Sequence, residues 1–139
     1  MIHLVPYQTK MKNLLVICLV LLITKSGFSQ SFDIKNDKVI IDGKECLKIF
    51  NTDAVNVSIQ DIEGNDIIFL KFIHNSKYGS LYNKIIFLNQ KLSLTSKSYI
   101  YTKKLLIKKL LAEKVIENCR LNPDNIEKFI LKYDEDVEK

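Results

Sequence analysis

The groups in this 139-residue chain that could carry out chemistry are few: two histidines (His3 and His74), three cysteines (Cys18, Cys46 and Cys119) and sixteen scattered carboxylates. A Ser-His-Asp or Cys-His site needs a base beside its nucleophile, and past residue 29 only His74 can serve. No Gly-x-Ser-x-Gly elbow accompanies it. Asp33, Asp61 and Asp66 fall near expected strand ends, but so many carboxylates on a small surface become neighbours by chance. A zinc site draws on clustered histidine and cysteine, and neither is clustered here. The four glycines, Gly27, Gly43, Gly64 and Gly79, have no phosphate-cradling spacing. The expectation is therefore no catalytic residue, no metal and no cofactor.

These residues work where the N-terminal segment sends them. Residues 11–29 read as a secretory signal peptide: Lys12 supplies a positive start, Leu14 to Thr24 is an uncharged apolar run, and Gly27 and Ser29 are small residues at the positions a signal peptidase reads. The run stops at Lys25, short of the roughly twenty apolar residues a membrane span needs. Cleavage near Ser29 would release a periplasmic or secreted chain starting at Gln30. Residues 1–10 precede a leader already complete from Met11 and read as a mis-assigned start. Cys18 lies inside the leader, and Ile17 before it is not the small residue that lipoprotein processing wants.

Residues 30–139 then form a single domain. Lys10, Lys12 and Lys25 fall before residue 30, leaving 18 basic against 16 acidic residues. That balance argues against nucleic acid as a partner. Cys46 and Cys119 meet in an oxidising compartment, which invites pairing. Sequence supplies no geometry for a bridge, however, and the reading favours two separately buried thiols.

From Phe32 the apolar period is two, with turn residues about every eight to twelve positions, the pattern of an antiparallel sheet. Asp42-Gly43 marks a tight hairpin. Val55, Val57 and Ile59 share one face of a strand whose other face shows Asn56, Ser58 and Gln60, so Asn56 of the Asn-Val-Ser sequon reads as solvent-facing. Ile67 to Ile73 is apolar on both faces apart from Lys71 and belongs in the middle of the sheet. His74 to Ser80 reads as the longest polar loop, with His74, Lys77 and Tyr78 as candidate contact residues.

After Tyr101 the period lengthens. Thr102 caps a helix that places Leu106, Ile107, Leu110 and Leu111 on one side and ends near Lys114. Its lysines also suit a membrane-surface helix over residues 102–114, but the sheet needs an apolar cover and the core reading is preferred. Val115 to Leu121 connects to a second helix, announced by Asn122 and Pro123 and carrying Ile126, Phe129, Ile130 and Tyr133. Asp134 to Lys139 reads as a frayed, charged tail. The expected fold is α+β: a curved antiparallel meander of six or seven strands followed by two C-terminal amphipathic helices.

The Phe28-Ser29-Gln30 end of the leader, the DKVIIDGKE hairpin, and the pair TKKLLIKKLL and NPDNIEKFILKYDE together resemble small uncharacterised exported proteins of Flavobacteria and related Bacteroidetes. That resemblance implies an exported domain and carries over no site residues. The function expected is a non-enzymatic binding or interaction module of the cell envelope, with an envelope protein or small ligand as partner. The alternatives are a small periplasmic hydrolase built around His74, and a membrane-surface protein using the basic helix.

Overall fold

The computed structural model describes residues 30–139, and the readings of residues 1–10 and 11–29 lie outside them. Seven strands pair in chain order into one open antiparallel sheet: β1 (Phe32–Lys35), β2 (Lys38–Ile41), β3 (Lys44–Asn51), β4 (Asn56–Gln60), β5 (Asp66–Ser76), β6 (Gly79–Phe87) and β7 (Leu92–Ser96). Helix α1 (Lys103–Ala112), a small hairpin of β8 (Ile116–Glu117) and β9 (Arg120–Leu121), and helix α2 (Pro123–Tyr133) complete the domain. The α+β class, the seven-stranded antiparallel sheet and the two helices agree with the sequence reading.

Local chemistry sets the corners. Asn36-Asp37, Asp42-Gly43 and Asn118-Cys119 each hold both central residues at positive φ, the geometry that matches a two-residue turn to strand twist. Asp61 closes the β4–β5 connection by accepting the Glu63 and Asn65 amides at 3.0 and 2.9 Å. These bonds favour the ionised form, and the Asn65 amide, with help from its side chain, holds the Asp61 carboxyl below its usual range. Thr102 caps α1 by accepting the Leu105 amide. Lys114, at φ 57°, stops the helix: its amide bonds the Leu111 carbonyl while the Val115 amide reaches back to Leu110.

One face of the sheet carries the core. Ile49, Ile59, Ile68 and Phe87 stand in register across β3 to β6, with Val57, Leu70, Ile85 and Leu94 in the next row. Against them α1 places Leu106, Ile107 and Leu110, and α2 places Ile126 and Phe129, all buried. Phe129 meets Phe87 edge to face at 6.5 Å. The apolar side of α1 is thus inside the domain, as the core reading required. Buried Asn83 fixes the entry to this helix, accepting the Tyr101 amide through its side-chain oxygen and donating to the Lys71 carbonyl.

Four expectations are corrected. His74 to Ser80 is not a loop: β5 runs through Ser76 and β6 begins at Gly79, so only Lys77 and Tyr78 turn. Cross-strand pairing of Ile73 with Tyr82 and His74 with Leu81 carries a polar sequence as strand, and Ser76 accepts the Tyr78 amide to close the turn. Ser58, expected in solvent, is buried and donates to Asp66 at 2.5 Å.

The thiols favoured as separate are joined, Cys46 to Cys119, with Cα atoms 5.0 Å apart. A register shift between Val39 and Ile40 leaves Cys46 as the extra residue of a bulge, so Cys46 and Leu47 are both buried despite being neighbours. Bulges re-aim side chains in this way. The β8–β9 turn brings Cys119 over the bulge. Finally, Asp134 to Lys139 is not frayed but folds back on β7, as described below.

Candidate functional site

The two faces of the sheet differ in what covers them. Alternation places Phe50, Ser58, Phe69, Ile86 and Ser93 in one row across β3 to β7, on the side away from both helices. Phe50 is 56% exposed, Phe69 and Ile86 are half-buried, and none of the three belongs to the helix-side core. The next row is Asn56, Lys71, Lys84 and Thr95, and beyond it Ile73 faces Tyr82. Lys71 is the one charge that interrupts the apolar run of β5, and here it is directly opposite Lys84.

The C-terminal strap, residues 134–139, crosses the β7 edge onto this second face. At the edge, Thr95 donates its amide to Asp134 at 3.0 Å and accepts the Glu135 amide at 2.9 Å. Both outward backbone groups of Thr95 are thereby satisfied, which blunts an otherwise open strand edge. The Glu135 carboxylate accepts from Ser96 Oγ and from the Lys97 and Ser98 amides at 2.9, 3.2 and 3.0 Å. The Val137 amide reaches Thr95 Oγ1 at 2.8 Å. On the far face Glu138 accepts from Lys84 Nζ and from the Tyr82 hydroxyl, each at 2.7 Å.

The carboxylates respond to this setting. Burial works against the Glu135 charge, but hydrogen bonds from Ser98, Ser96 and Lys97 outweigh it and hold its carboxyl down at about 2. Glu138 is lowered by the Lys84 hydrogen bond first, then by Tyr82, and Lys71 adds its charge. Groups with depressed folded values stabilise docking above their unfolded values, and that contribution disappears as pH falls. The strap is therefore expected to release between pH values of about 4.5 and 2. Amide resonances of Thr95 and Val137 followed by NMR check this; unchanged positions through that range would contradict it.

The sequence-chosen residues are placed as follows. His74 is exposed on β5, with no hydrogen bond or ion pair to a carboxylate among the described residues. Lys77 lies over the Tyr78 ring at 4.9 Å, at the tip of the β5–β6 hairpin. Cys46 and Cys119 lie at the other end of the sheet, in the wall of a cleft of about 520 Å³ rimmed by Lys44, Glu45, Asp61, Glu63 and Arg120. A cleft of about 590 Å³ between β1, α1 and the β8–β9 hairpin is lined by Phe32, Leu111 and Ile116 among others. Among the described residues, neither cleft is lined by histidine. Among the described residues no three His, Cys, Asp or Glu side chains gather as metal ligands, and no helix is long and apolar enough to cross a membrane.

Sequence reasoning missed Lys71, Lys84, Tyr82 and Glu138 as a group. The isolated lysine in an apolar strand was the available signal. The arrangement can bind a carboxylate through the Lys84 ammonium group and a buried hydroxyl donor, with the Lys71 charge nearby, beside an apolar surface. Comparison with known proteins found no matching family model, no similar curated protein and no similar solved structure.

Proposed function

We propose that this chain is an exported, non-enzymatic binding module of the cell envelope, which meets its partner through the helix-free face of the sheet and the adjoining β5–β6 turn. One observation carries the reading: on the face away from the helices, beside the strap of residues 134–139, Phe50 is exposed and Phe69 and Ile86 are half-buried in one row, interrupted by buried Ser58 between Phe50 and Phe69. Exposed apolar patches edged by polar groups are typical of interaction surfaces. Lys48, Lys71 and Lys84 edge this one, and the expected contact residues Lys77 and Tyr78 stand further along the same strands, at the β5–β6 hairpin tip.

A leader over residues 11–29 would deliver the module to the periplasm or beyond, in keeping with the exported flavobacterial proteins that the sequence resembles. A histidine-dependent hydrolase has less behind it, because His74 stands alone in solvent.

Phe50→Glu tests the reading. An aromatic anchor at the centre of an interface is worth about 2 kcal/mol or more, roughly thirtyfold in affinity. Envelope proteins retained by the immobilised wild-type domain at matched load are expected to fall by about that factor with the folded variant. Equal retention by both would refute this face as the contact surface.

A further inference from the structure

We propose, as an extension resting on the binding-module reading, that the seat formed by Lys71, Lys84 and Tyr82 recognises an acidic peptide segment of a partner, and that residues 134–139 of this chain are its built-in competitor. Lys71 and Lys84 are directly opposed across β5 and β6. Like charges in that relation destabilise a sheet unless an anion lies over them. Glu138 is that anion here, taking Lys84 and the hydroxyl of Tyr82, a residue only 1% exposed. The seat thus has a charge requirement and a directed donor, and the strap meets both.

The rest of the strap defines the ligand's shape. It passes the β7 edge with the Asp134 side chain on the Thr95 amide and the Glu135 amide on the Thr95 carbonyl, then turns, with Asp136 at φ 49° and the Lys139 amide reaching the Asp136 carbonyl. Val137, half-buried, is its apolar residue between Asp136 and Glu138. The matching partner segment is an acidic peptide turn with an aliphatic residue flanked by carboxylates. The strap is anchored by hydrogen bonds rather than by the core, which α2 reaches through Ile126 and Phe129. It can therefore leave while the helix stays. A tethered competitor has an effective concentration on the order of millimolar, so the seat opens only to a tighter ligand or after the strap is weakened.

The test uses the full chain and a labelled peptide of residues 133–139, YDEDVEK, read by fluorescence anisotropy at low salt. Glu135→Gln with Glu138→Gln is expected to bind the peptide at least tenfold more tightly than wild type. Adding Lys84→Gln, or raising the salt, should remove that binding. Glu138→Gln alone serves if the double variant does not fold. Equal binding by wild type and the weakened chain, or binding that ignores Lys84, would overturn the proposal. If the peptide fails while Phe50-dependent capture persists, this inference falls and the module reading stands; loss of both removes both. Sedimentation should report a monomer, and a strap-exchanged dimer would make the occupant a second copy, overturning the assignment to a partner.

Discussion

Leu110→Asp is expected to leave no folded domain, with far-UV circular dichroism and urea titration reporting an unfolded chain in water. Leu110 is fully buried on α1 between Ile107 and the sheet-side core. Removing such a side chain costs roughly 2–5 kcal/mol. The carboxylate that replaces it has no cationic partner in the core and adds a desolvation cost of its own. A domain of this size has a total stability of about 5–15 kcal/mol, so the sum consumes most or all of it.

The control lies on the same helix. Leu105 is 37% exposed, and Leu105→Asp should change stability by no more than about 0.5 kcal/mol, the usual range for surface positions. The pair also separates the core use of α1 from a membrane-surface use. If the apolar side served a bilayer, Leu110→Asp would stay folded and lose only vesicle binding.

Periodicity made the scaffold legible because it records which side of each element faces apolar surroundings. Period two placed the strands, Asp42-Gly43 fixed a hairpin, and Asn122-Pro123 marked the start of α2. Each of these signals is local. What escaped was set by partners distant in sequence. Ser58 reads as a solvent residue in its own strand and is buried because Asp66, across the β4–β5 hairpin, accepts its hydroxyl. His74 to Ser80 is polar enough for a loop, yet pairing of His74 with Leu81 and Ser76 with Gly79 makes all but Lys77 and Tyr78 strand. Residues 134–139 read as frayed because a run of charges ordinarily is. Their order comes from Thr95, Ser96, Lys84 and Tyr82, none within 30 residues in sequence. The candidate seat was invisible for the same reason: Lys71 opposite Lys84 is a fact of register, not of composition.

Removing the Cys46–Cys119 bridge is expected to cost about 4 kcal/mol, because the crosslink closes a loop of separation 73 and restricts the unfolded chain accordingly. The sequence reading leaned towards free thiols, since nothing in it brings a residue after the Asp42-Gly43 turn next to the segment between two helices. Two local irregularities do so. The bulge opposite Val39 and Ile40 turns Cys46 inward, and the Asn118-Cys119 turn, with φ of 50° and 61°, presents Cys119 to it.

The bridge therefore ties the small β8–β9 hairpin to the sheet, at the point where the chain passes from α1 to α2. For a domain of about this length, 4 kcal/mol corresponds to a fall in Tm of roughly 15 °C. Two comparisons divide the effect. Reduced wild type keeps both sulfur atoms and loses only the constraint, whereas Cys46→Ala with Cys119→Ala also leaves a small void beside Leu47. Intact mass after alkylation should show no reactive thiol from Gln30 onward without reductant and two with it. Identical melting of the oxidised and reduced wild type would mean that the hairpin is held by Ile116 and Leu121 packing alone, and the bridge would then contribute nothing to the fold it spans.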